Sequence, residues 1–78
     1  MTIYNFYLQG VAESELLLSD CTEREAMVEM GKVLENRYDK GFTLKNIEST
    51  DDVLMYEIVG SGKCFVLEKV GDVNCNTN

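Results

Sequence analysis

Apolar and polar residues alternate from Thr2 to Gln9, with Tyr4, Phe6 and Leu8 on one side and Ile3, Asn5 and Tyr7 on the other. A period of two built from aromatic and β-branched residues predicts a strand. Gly10 to Glu13 reads as a connection. The segment SELLLSD, from Ser14, predicts a returning strand with Leu16 and Leu18 inward, and its Leu and Glu content suits a helix over 14–19 as well. The period then changes to the helical one. In TEREAMVEMGKVLENRYDKG, Ala26, Met27, Met30, Val33, Leu34 and Tyr38 share one face. Thr22 followed by Glu25 is the pattern of a capping box. Gly41 stands where a left-handed C-terminal cap is expected, and Arg37 and Lys40 suit the last turn through the helix dipole. Gly31 costs roughly 1 kcal/mol relative to alanine inside a helix. It serves either a close approach to the sheet or no purpose at all. Next come a strand in FTLKNIEST, a turn in STDD, and a hairpin formed by VLMYEIV and CFVLEKV. The expected order is β-β-α-β-β-β, an α+β fold with a single helix packed on one face of a small antiparallel sheet. Residues 1–71 make one domain and 72–78 a flexible polar tail.

The alternation around the hairpin has two sides. Leu54, Tyr56, Ile58, Phe65 and Leu67 suit the face beneath the helix, together with Tyr4, Phe6 and Leu8. Val53, Met55, Val59, Cys64 and Val66 then fall on the opposite face, with Ile3 and Tyr7 as neighbours and Glu57 and Glu68 as a rim. One helix covers only one face of a sheet. Contiguous apolar surface of more than a few hundred Å² is rare on monomers, so the second face is expected to meet a partner or a second copy, unless the N-terminal segment folds over it. Met and Tyr suit such adaptable contacts.

GSGK, from Gly60 to Lys63, invites comparison with a phosphate-binding loop. That motif needs a glycine five residues before Gly62, a hydroxyl after the lysine and a following helix. Here Glu57, Cys64 and a strand occupy those places. The segment is therefore a hairpin turn, with Gly60, Ser61 and Gly62 supplying positive φ. A two-residue Ser61–Gly62 loop sets Ile58 opposite Phe65 and Tyr56 opposite Leu67. An odd loop would mix the faces, so even parity is expected.

Catalytic chemistry finds little support. The chain has no histidine, so Ser14, Ser19 and Cys21 have no imidazole to activate them. Glu13 with Glu15, and Asp51 with Asp52, lack the spacing of a calcium loop and read as solvated acids beside turns. No enzyme activity, no metal and no cofactor is expected. Cys21, Cys64 and Cys75 form no C-x-x-C pair, and their odd number argues against a complete disulfide framework. A reducing, cytoplasmic setting follows as the expectation. No apolar run reaches the ~20 residues of a membrane span, and the first residues lack the basic start and apolar run of a signal peptide.

Charge narrows the partner. The 78 residues carry 14 acids against 7 bases, a formal charge of −7. The bases are scattered singly, so direct nucleic-acid binding is disfavoured and a basic protein partner is favoured. On the helix Glu25 with Glu29, and Glu35 with Asp39, are like-charged neighbours at i,i+4, each costing a few tenths of a kcal/mol. With Asp51 and Asp52 they make a candidate acidic surface, which is either a solvated face or an imitation of phosphate spacing.

One very small acidic domain, with one helix on an antiparallel sheet and no catalytic residues, resembles the phage-encoded inhibitors of bacterial defence, the anti-CRISPR proteins in particular. The resemblance rests on architecture and composition and brings no site residues with it. It implies a protein-binding inhibitor that occupies the nucleic-acid-binding surface of a host defence complex, acting in the host cytoplasm. The alternative is a homodimeric structural or assembly accessory domain of phage or bacterial origin, joined through its apolar sheet face.

Overall fold

The computed structural model describes residues 1–38 and 43–72. It contains β1 (Thr2–Gln9), β2 (Ser14–Cys21), α1 (Glu23–Arg37), β3 (Leu44–Ser49), β4 (Val53–Ile58) and β5 (Lys63–Asp72), the expected order of elements. The segment that suited either structure is a strand, β2. All neighbouring strands are antiparallel, in the order β2-β1-β5-β4-β3. No helix among the described residues is long and apolar enough to cross a membrane.

The face beneath the helix carries the core. Phe6, Phe65, Ile58 and Leu67 are fully buried with Ala26 of the helix, and Tyr4, Leu54 and Tyr56 pack at the margin. The rings of Phe6 and Phe65 stack with centroids 5.4 Å apart. Each such side chain contributes roughly 1.5–3 kcal/mol on burial. β5 continues to Asp72, one residue past the expected domain boundary, where the Thr2 hydroxyl donates to the Asp72 carboxylate at 2.8 Å. Residues 73–78, with Cys75, lie outside the described residues.

The capping box forms as expected. Glu25 N–H donates to Thr22 Oγ1 at 3.2 Å, and Thr22 N–H donates to Glu25 Oε1 at 2.9 Å. The far end differs from the expectation. The helix stops at Arg37; Tyr38 is already extended (φ −130°, ψ 147°), and its side chain packs against the core. Gly41 and Lys40 lie outside the described residues. Met27, expected on the apolar face, is 40% exposed, because the buried stripe is the narrower Ala26–Met30–Val33 line. Gly31 is exposed, and nothing lies within 4 Å of a Cβ built there, so it serves no close approach.

The hairpin between β4 and β5 keeps the expected parity but not the expected register. Ile58 pairs with Lys63, Tyr56 with Phe65 and Leu54 with Leu67, leaving Val59 to Gly62 as the loop. Ser61 holds this wider turn. Its hydroxyl donates to Ile58 C=O at 2.7 Å and accepts the Lys63 N–H at 3.0 Å. Positive φ belongs to Gly60 (87°) and Gly62 (76°) and not to Ser61. A shift of two residues leaves every side chain on its face.

Candidate protein-binding face

Residues paired directly across antiparallel strands project to the same side of the sheet. Away from the helix, one such row runs through all the strands: Leu16 of β2, Tyr7 of β1, Val66 of β5, Met55 of β4 and Glu48 of β3. Four apolar side chains therefore lie side by side. Cys64 sits one row above Val66, between Gln9 and Glu57, and Val53 lies one row below Met55, beside Glu68. Helix α1 packs on β1, β2 and β5 from the other side. No helix or strand among the described residues covers this row.

Local sequence explains how the face assembles. A bulge in β2 sets Phe6 opposite Leu18 but Tyr7 opposite Leu16, with Leu17 left over between them. Leu17 and Leu18 therefore pack on the core, and Leu16, expected inward, lies on the outer face and is 52% exposed. Three consecutive leucines hide this reversal, since any one of them can be the extra residue. Val59, expected on the face, belongs to the turn and is 44% exposed, its N–H donating to Thr43 C=O at 2.9 Å. Val53, Met55 and Cys64 are half-buried on the open face, and Val66 is the most enclosed at 9% exposure. Ile3 pairs with Gly71 beyond a further bulge and lines a hollow of about 360 Å³ with Asp20, Val70 and Asp72.

Both described thiols are shifted away from the thiolate form. Burial, helped by Glu57, pushes the Cys64 thiol above its ordinary range, and burial with Glu25 does the same to Cys21. A raised thiol is less often a thiolate. Lys63 is followed by a strand and not by a helix. It begins β5 and lines a small hollow of about 90 Å³ with Glu13 and Glu15.

The candidate acids fall into two neighbourhoods. Glu25, tied into the helix cap, shares with Glu29 an open hollow of about 480 Å³ that is also lined by Arg24 and Lys32. Glu35 is exposed further along the same helix. Asp51 and Asp52 occupy the turn between β3 and β4, where Lys69 N–H donates to Asp52 C=O at 2.8 Å. Asp39 lies outside the described residues. Glu48 stands at the β3 end of the apolar row, opposite Met55.

The chain matches no protein-family model, no curated protein and no solved structure.

Proposed function

We propose that this protein is a non-enzymatic, stoichiometric inhibitor or regulator that binds a basic protein or protein complex through its open sheet face. The observation that carries the reading is the apolar row Leu16–Tyr7–Val66–Met55, left without a covering element among the described residues. Such a row has a hydrophobic reason to meet a partner. The formal charge of −7 selects a basic partner and opposes direct contact with nucleic acid. A chain without histidine, whose described thiols are shifted away from the thiolate form, is suited to occupying a surface. The activity in view is of the anti-CRISPR kind, in which the bound inhibitor keeps target nucleic acid out of the basic groove of a defence complex.

The test is made in bacteria carrying an active CRISPR–Cas system challenged with a targeted phage. Expression of the chain should restore plaque formation, and Met55→Glu should abolish the effect while preserving the circular-dichroism spectrum. Plating that stays unchanged across the system types tested overturns the anti-defence reading.

A further inference from the structure

The polar residues of the open face are arranged as closely as the apolar ones. On β5 the residues facing outward are Cys64, Val66 and Glu68, and their β4 partners are Glu57, Met55 and Val53. The apolar members form an oblique stripe from Cys64 through Val66 and Met55 to Val53. Glu57 and Glu68 take the two opposite corners, one on each side of the stripe. With strands ~4.8 Å apart and ~6.7 Å between same-face residues, the stripe is about 14 Å long. That is the length of roughly nine or ten helical residues, and one helix of ~10 Å diameter spans two strands. Glu48 adds a carboxylate at the β3 end of the row, and Lys45, opposite Glu57, is the one base paired into this part of the face. None of the carboxylates of Glu48, Glu57 and Glu68 has an ion pair or hydrogen bond among the described residues.

From this layout we infer that the occupant of the face is an amphipathic helix of the partner, with Lys or Arg on both margins of its apolar stripe. The inference rests on the proposed use of this face and adds the chemistry of what binds there. Apolar contact along Cys64–Val66–Met55–Val53 supplies the hydrophobic term, and bases on either margin meet Glu57 and Glu68. A second copy of the chain is a poor occupant. It would set the same three carboxylates against each other with one lysine per copy, between molecules that each carry −7. The rows flanking the apolar one, Ser14–Gln9–Cys64–Glu57–Lys45 above and Asn5–Glu68–Val53 below, are also too polar for sheet-on-sheet packing.

The experiment titrates the ¹⁵N-labelled full chain with a synthetic helix of about 14 residues, its leucines at i, i+3, i+4 and i+7 and its margins lysine. A second peptide carries glutamate at the margins. The lysine peptide should shift the amides of Val53, Met55, Cys64 and Val66, bind more weakly as salt rises, and lose affinity about tenfold against the Glu57→Lys/Glu68→Lys variant. Should that variant fail to fold, Glu57→Gln/Glu68→Gln serves, with a smaller loss in the same direction. Absence of binding, equal binding of the glutamate peptide, or shifts confined to α1 overturn the inference. So does a stable dimer in sedimentation equilibrium that Met55→Glu dissociates. If the peptide fails while Met55→Glu still abolishes the effect in cells, this inference falls and the proposed function stands. If the peptide binds and phage plating never changes, the outcome is the reverse.

Discussion

The guanidinium of Arg37 donates to both carboxylate oxygens of Glu15, at 2.8 and 2.9 Å, joining the last turn of α1 to the edge strand β2. Sequence placed Arg37 at the helix end for its dipole and read Glu15 as a solvated acid. The fold sets them face to face instead, as a forked pair of charge-assisted hydrogen bonds.

That pair makes acid stability depend on Glu15. The hydrogen bond from Arg37 holds its carboxyl below the usual carboxylate range. A lowered folded-state value means stabilisation that is complete above the unfolded value, about 4.3, and is lost as pH falls through the folded one. Thermal melts from about pH 7 to about pH 3 should show Glu15→Gln closing the gap to wild type at the acid end. Because both side chains are about half exposed, the gap should also narrow in salt. A difference that persists unchanged at acid pH contradicts the assignment.

One chemical change has opposite signs at two glycines. Gly31→Ala adds a methyl group with open space around it in mid-helix, and should stabilise by about 1 kcal/mol. For a domain of this size that raises the melting temperature by roughly 4–8 °C. Gly62→Ala places a Cβ at φ 76° in the hairpin turn and should destabilise by about 1 kcal/mol or more. Chemical denaturation of the two variants checks both signs.

Cys64 reports on the open face. In a Cys75→Ser background its alkylation by iodoacetamide should be slow at neutral pH, since burial and Glu57 favour the protonated thiol, and should quicken as pH rises. Cys21, only 3% exposed, should react more slowly still. Saturation with the lysine-margined peptide should protect Cys64, and undiminished labelling under those conditions counts against occupancy of the face.

Much of this was legible in the chain because local interactions decide it. The capping box needs only Thr22 and Glu25 three positions apart. The assignment of Tyr4, Phe6, Leu8, Leu54, Tyr56, Ile58, Phe65 and Leu67 to the helix side needs only the period of two, and all of them are in the core or packed against it. Even the turn at GSGK could be told from a phosphate loop by what flanks it.

Other features depended on contacts between distant residues. The LLL run alternates equally well in either phase, and only pairing with β1 selects Leu17 as the bulged residue and turns Leu16 outward. The hairpin parity followed from keeping apolar residues on their faces, but a slip of two residues preserves the faces, so patterning could not choose between registers. The Ser61 hydrogen bonds hold the observed one. The helix end was likewise not legible: Tyr38 is extended and packs against the core.

The sequence by itself determined the elements, their order and the presence of two apolar sides, because period and capping are read within a few residues. Only the tertiary structure decided which side chains meet: the Arg37–Glu15 fork, and the stripe of Cys64, Val66, Met55 and Val53 between Glu57 and Glu68. The physical reason is that such neighbours are set by strand register and by where the helix ends, and these are fixed by packing between segments far apart in the chain.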